Sequence, residues 1–219
     1  MKKYLEKLKK CPLFYSIEEE HLLKMLPCLG AEIAKYDKKD TVFAEGSEAK
    51  DIGVLISGGI ESVRYDYYGN KSIINKVDPP EVFGEAFACA ESKALPVSIV
   101  AVEPSEVMLI NCSHILHTCS NNCGFHQQLI YNLMKDLASK TVVFHQRIEV
   151  TSKRSTREKL LAYLGIVSQQ KGSDSFKIPF NRQELADYLE VDRSGLSAEI
   201  SKMRKEGILE SNKNYFKLL

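Results

Sequence analysis

The sequence predicts an α+β chain in three successive parts: a strand-rich N-terminal roll, one long helix, and a C-terminal pair of short helices followed by a hairpin. Three observations predict this. Short apolar runs separated by Gly or Pro fill the first half. A stretch without Gly or Pro then changes to a helical period. Finally, two capping signatures open helices near the C-terminus.

Size and composition set the frame. The 219 residues suit one large domain or two small ones, and 44% hydrophobic with 27% charged residues is an ordinary globular balance. No apolar run approaches the ~20 residues that span a bilayer. The N-terminus, Met1-Lys2-Lys3-Tyr4-Leu5-Glu6-Lys7, lacks the apolar core and small-residue cleavage site of a signal peptide. A cytoplasmic location without membrane attachment is expected, with the six cysteines present as reduced thiols. Net charge is +1, unevenly spread: residues 151–219 hold 13 Lys/Arg against 9 Asp/Glu, and the rest 17 against 20. A basic C-terminal segment on an acidic body fits a nucleic-acid module carried by another domain.

The first part, residues 1–124, opens with a helix over residues 18–29, whose apolar residues fall at 22, 23, 26 and 29. Apolar runs follow at Thr41-Val42-Phe43, Val54-Leu55-Ile56, Val63-Arg64-Tyr65, Ile73-Ile74, Phe83, 97–102 and 107–110. Turn residues separate them: Gly46, Gly58-Gly59, Gly69-Asn70, Pro79-Pro80 and Gly84. Short strands so punctuated predict a double-stranded, jelly-roll-like β-roll. The second part, residues 125–150, places Leu129, Leu133, Leu137, Thr141, Phe144 and Ile148 in steps of three and four, with Ile130, Met134 and Ala138 beside them. Such a seam on so long a helix predicts pairing with a second copy, a dimerisation helix.

The third part, residues 151–219, follows the polar hinge Thr151-Ser152-Lys153-Arg154-Ser155. Ser155 with Glu158 makes a capping box, and Leu160, Leu161 and Leu164 line one helical face. Asn181 with Glu184 makes another, opening a short helix with Leu185, Ala186 and Leu189 inward. Glu190-Val191 forms the turn, Asp192 caps a second helix with Leu196, Ile200 and Met203 inward, and Gly207 ends it. Ile208-Leu209-Glu210 and Tyr215-Phe216-Lys217-Leu218 read as a hairpin. Together these make a winged helix-turn-helix. Its second helix turns Arg193, Ser194, Ser197, Ala198, Ser201, Lys202 and Lys205 outward: groups for base edges come first, basic groups for phosphates further along. Arg182 and Gln183, at the start of the first helix, join the candidate DNA contacts.

With these parts in this order, the chain resembles the Crp/Fnr family of bacterial transcription regulators along nearly its whole length. The stretch 181–209 is similar to that family's signature, while Gly58, Gly69 and Phe83-Gly84-Glu85 resemble turns of its cyclic-nucleotide-binding-like roll. The resemblance implies a homodimer on double-stranded DNA with a palindromic operator, an effector-sensing roll, and contact with RNA polymerase. It also marks departures. Ser194 and Ala198 stand where relatives often carry Glu and Arg, which read cytosine and guanine. An effector pocket implied by the family falls on Gly84, Glu85, Ala86, Pro96, Val97, Val143 and Phe144. Relatives that bind cyclic AMP place Arg and a small hydroxyl residue about ten residues after Gly-Glu. Here the stretch is Lys93-Ala94-Leu95-Pro96-Val97-Ser98, and Val143-Phe144 replaces a purine-contacting Thr-Ser pair. A buried phosphate needs a paired cation, so the expected effector is a small molecule other than cyclic AMP. No cofactor is otherwise implied.

Cys112, His114, His117, Cys119 and Cys123 crowd one short segment. Thiols and imidazoles can hold zinc or iron or respond to oxidants, so a thiol- or metal-responsive regulator is the first alternative. The spacing matches no zinc finger, and no metal site is assigned. A Cys/His enzyme using Cys119 with His114 or His117 is the most distant alternative. The sequence has no nucleophile elbow, phosphate-cradling Gly loop or HExxH for it.

Overall fold

The uninterrupted apolar run Ile52-Gly53-Val54-Leu55-Ile56 needs cover on both faces, because alternate side chains of a strand point to opposite sides. The computed structural model, which describes residues 2–65, 67–68, 71–117 and 124–219, supplies that cover. The chain divides into two units, 1–138 and 139–219.

In the first unit, α1 (Leu5–Leu8) and α2 (Glu19–Cys28) precede the strands. Then come β1 (Glu32–Tyr36), β2 (Thr41–Phe43), β3 (Asp51–Ser57), β4 (Ile60–Tyr65), β5 (Lys71–Val77) and β6 (Val82–Phe83). A short α3 (Glu85–Cys89) leads to β7 (Ser98–Ala101), β8 (Ser105–Asn111), α4 (Cys112–Leu116) and α5 (Gly124–Thr151). Two four-stranded antiparallel sheets result, ordered β1-β8-β3-β6 and β2-β7-β4-β5. This is the expected roll. Leu55, Val107 and Phe83 of the first sheet meet Ile60, Val77, Ile99 and Ala101 of the second. On the other face of β3 and β8, Ile52, Val54, Ile56, Met108 and Ile110 pack with α1, α2 and the start of α5. The buried Asn132 fixes that last contact. Its amide donates to the carbonyls of Leu13 at 3.0 Å and Tyr15 at 2.7 Å, and its oxygen accepts from Gln128 at 2.9 Å.

The Gly58-Gly59 turn joins β3 to β4 with Gly58 at φ +90°. A Cβ at Gly58 would lie 2.3 Å from Ser105 Oγ and 2.5 Å from the Pro104 carbonyl oxygen. Gly58→Ala therefore combines a left-handed backbone penalty of ~1–2 kcal/mol with an overpacking cost of ~1–3 kcal/mol. Denaturant titration should show roughly 2–5 kcal/mol lost; wild-type stability would contradict this turn geometry. The second expected turn, Gly69-Asn70, lies outside the described residues.

The second unit takes the end of α5, then α6 (Thr156–Lys171), β9 (Ser175–Lys177), α7 (Arg182–Leu189), α8 (Arg193–Lys205), β10 (Leu209–Asn212) and β11 (Tyr215–Leu218). Its sheet runs β10-β11-β9. Val150, Leu160, Leu164, Leu185, Leu189, Leu196, Ile200, Met203 and Phe216 form one buried core. Among the described residues, no helix is long and apolar enough to cross a membrane.

One expectation for α5 needs correction. Leu129 and Leu133 are 0% and 2% exposed within the first unit's own core, and Leu137 packs against it. They are covered by their own chain. The exposed side of the helix carries a different stripe: Tyr131, Met134, Ala138, Thr141, His145 and Ile148, in alternating steps of three and four. Thr141 and Ile148 belong to both readings, whereas Phe144, also exposed, lies beside the new stripe.

Candidate nucleic-acid interface and the thiol pair

Local chemistry sets the angle between α7 and α8. Asn181 accepts from the amides of Gln183 and Glu184, and Glu184 returns a bond to the Asn181 amide at 2.7 Å. The capping box starts α7 there, satisfying amides that would otherwise lack partners. Glu190, at φ +54°, ends the helix in a left-handed turn, where the Val191 amide reaches the Ala186 carbonyl at 3.0 Å. Lys159 donates to the carbonyls of Leu189 and Glu190 at 3.1 and 3.4 Å, holding the turn onto α6. Asp192 then caps α8 through the Gly195 amide at 2.8 Å. The Ser194 hydroxyl and the Gly195 amide hold the Asp192 carboxyl below its ordinary pKa. Ala186, fully buried and small, lets the two helices approach.

A fork from α6 braces α8 from behind. Arg157 meets Glu199 at 2.6 Å and Glu206 at 2.8 Å, near the middle and the end of α8. The guanidinium keeps the Glu206 carboxyl below the usual range. The front of α8 is left to solvent. Arg193, Ser194, Ala198, Ser201, Lys202 and Lys205 are exposed and Ser197 is half-buried. Among the described residues, the Arg193 guanidinium makes no hydrogen bond or ion pair. The Ser197 and Ser201 hydroxyls donate to carbonyls one turn back, both at 2.9 Å, and Ser194 donates to Asp192 at 2.5 Å. All three keep acceptor capacity. Lys202, Arg204 and Lys205 stand in the last turn. The face thus offers one unengaged fork at its start, a row of small hydroxyls, and cations at its end.

Arg182 and Gln183 are placed differently. The Arg182 guanidinium lies 5.6 Å over the Phe216 ring and donates to the Lys213 carbonyl at 3.3 Å, tying α7 to the hairpin. Burial lowers its pKa. Gln183 is exposed and donates to Asp187 at 2.8 Å.

In the roll, Gly84 caps α3 at φ +76°, where a Cβ would sit 2.8 Å from the Phe43 ring. Glu85 and Val97 are buried, while Ala86, Pro96 and Lys93 are exposed. Residues 93–98 are held to the loop after β2: Leu95 exchanges backbone hydrogen bonds with Gly46 and Ser47, and Ser98 accepts from the Glu45 amide at 3.1 Å. Val143 and Phe144 are exposed residues of the second unit.

The Cys/His segment is only partly brought together. His114, His117 and His126 each bond a backbone carbonyl, of Leu29, Ser113 and His114 respectively, at 3.2, 2.9 and 2.8 Å. With Cys28 and Ser113 they line a cavity of about 280 Å³. Cys119 and Cys123 lie outside the described residues. Among the described residues no group of three or more His, Cys, Asp or Glu is arranged to hold a metal. Cys112 instead faces a residue that sequence reasoning missed. Its sulfur lies 3.5 Å from that of Cys89, at the end of α3. The two are far apart in sequence and form no recognisable motif; only the roll brings them together.

Comparison with known proteins gives the following. Residues 33–122 match the family model of the cyclic nucleotide-binding domain, and residues 158–219 that of the Crp-like helix-turn-helix domain. No curated protein sequence matches. Among solved structures, CprK in complex with OCPA is 15% identical, over 89% of this chain and 88% of that one, with a TM-score of 0.62. The c-di-GMP responsive global regulator CLP of Xanthomonas campestris is 15% identical, over 92% and 99%, with a TM-score of 0.59. DNR from Pseudomonas aeruginosa is 20% identical, over 100% and 95%, with a TM-score of 0.52. At these identities the likeness is one of fold.

Proposed function

Carrying both modules in this order, the chain belongs to the Crp/Fnr family of bacterial transcription regulators, and from that premise we propose that it acts in the cytoplasm as a homodimer on a palindromic operator. The observation that carries this reading is the exposed face of α8, with the unengaged Arg193 at its start and cations at its end. A recognition helix presents its N-terminal residues to base edges and lets phosphates pass its basic groups. The exposed stripe of α5 supplies the second element, since a helix face that sets Tyr131, Met134, Ala138 and Ile148 on one side, with Thr141 and His145 between them, suits a two-fold partner. Two copies then hold two recognition helices for half-sites about one helical turn, ~34 Å, apart. Contact with RNA polymerase belongs to the same reading.

The input is a small molecule bound in the roll, and it is not cyclic AMP. Lys93 is exposed, Pro96 has no amide proton, and residues 93–98 supply no guanidinium for a cyclic phosphate. Selection of binding sites from random duplexes, at one stated salt concentration, tests the whole proposal. A two-fold-symmetric consensus bound by two chains is expected, with an affinity that cyclic AMP leaves unchanged. Enrichment of an asymmetric site, one chain per duplex, or a cyclic AMP response would each overturn the corresponding part.

A further inference from the structure

We propose that Cys89 and Cys112 are a redox-modification site at which hydrogen peroxide converts the two thiols into an intramolecular disulfide. This goes beyond the DNA-binding reading and does not depend on it. The two sulfurs are 3.5 Å apart, so they already touch, and need to close only to the ~2.0 Å of a covalent bond. Both cysteines sit at helix ends, Cys89 closing α3 and Cys112 opening α4.

The two thiols are unequal in a useful way. Cys89 is half-buried and reachable, whereas Cys112 is 3% exposed. Either thiol can donate across this contact; with Cys112 as donor a thiolate on Cys89 is stabilised and its pKa falls below the ordinary value, against burial and the nearby Glu85 carboxylate. The same contact, with burial, pushes the Cys112 thiol up, and the more exposed Cys89 is the sulfur a peroxide reaches first. The thiolate is the nucleophile in such chemistry.

The steps balance. The Cys89 thiolate attacks one peroxide oxygen and the O–O bond breaks. The departing hydroxide takes a proton and leaves as water, and Cys89 becomes a sulfenic acid. The Cys112 sulfur then attacks the sulfenic sulfur, forming the S–S bond. Its thiol proton leaves with the sulfenic oxygen as a second water. The peroxide is reduced by two electrons and the thiol pair is oxidised by two. A reduced dithiol reverses the bond by exchange.

Peptide mapping of the full-length protein tests the site. The reduced chain is treated with hydrogen peroxide, remaining thiols are blocked with N-ethylmaleimide, and fragments are sequenced by mass spectrometry. A peptide pair joined through Cys89 and Cys112, lost on adding dithiothreitol, is expected. It should vanish in Cys89→Ser and Cys112→Ser and persist in Cys28→Ser, while Cys112→Ser should leave a sulfenic acid on Cys89 that dimedone traps. Joining of either residue to a different cysteine would overturn the proposal. So would both residues remaining open to alkylation at excess peroxide, or Cys89 passing to sulfinic acid with Cys112 still free. The wild-type map decides the matter even where a variant fails to fold.

Discussion

Arg193→Ala is expected to abolish tight operator binding while leaving the fold intact. A guanidinium that reads a base bidentately is worth ~1–3 kcal/mol of discrimination. Two half-sites then lose about 2–6 kcal/mol together, a factor of roughly 30 to 10,000 or more in Kd. The fold should not notice, because the Arg193 side chain is exposed and makes no hydrogen bond or ion pair with the described residues. Fluorescence anisotropy with the selected duplex at fixed salt, beside a thermal melt of the free protein, separates the two effects. An affinity within twofold of wild type would show that α8 is not the reading helix. A lowered melting temperature would show that Arg193 supports the fold instead.

The second large effect is expected on α5. Met134→Glu with Ile148→Glu should give a folded monomer, since two carboxylates facing their two-fold copies would be buried beside like charge. Met134 and Ile148 are 64% and 63% exposed in the single chain, so the substitution removes nothing from its own core. A monomer gives up the gain of engaging both half-sites at once, so operator affinity should fall by about 10²–10⁴-fold. Leu133→Ala makes the contrast. It should cost the first unit about 2–5 kcal/mol of stability by leaving a cavity, with the surviving folded protein still dimeric. Sedimentation velocity reads the first result and denaturant titration the second. Persistent dimers in the double variant would overturn the proposed stripe.

These two stripes show what the sequence could and could not reveal. The helix-turn-helix was legible almost residue by residue, because Asn181, Glu184, Asp192 and Gly207 act on their own neighbourhoods. Local hydrogen-bonding rules do not depend on the rest of the fold. The roll's central strands were legible for a similar reason, since their apolar runs end at turns such as Gly58. By contrast β1, five residues long with no fully buried side chain and no strict alternation of apolar and polar residues, gave no pattern to find. The short α3 likewise has too few turns to show a period. On α5 the periodicity was visible but its meaning was not. A 28-residue helix has room for two apolar stripes, and spacing alone does not say which one its own chain covers. The Cys89–Cys112 approach depends wholly on how α3 and α4 are brought together, so no local rule points to it. Ser194 and Ala198 are a different case: both are exposed on α8, and what they would read depends on the DNA they meet.

The grip of Asn132 on the carbonyls of Leu13 and Tyr15 has a mechanical consequence. Apolar side chains alone would let a helix creep along its bed, trading one contact for the next. An amide seated on two carbonyls behaves as a detent. Displacing α5 by one residue leaves buried polar groups unmatched, at ~1–3 kcal/mol each. The start of this helix is therefore indexed to the N-terminal segment as a ratchet is to its pawl. Moving the start of the helix therefore means lifting it out of that notch in one discrete step.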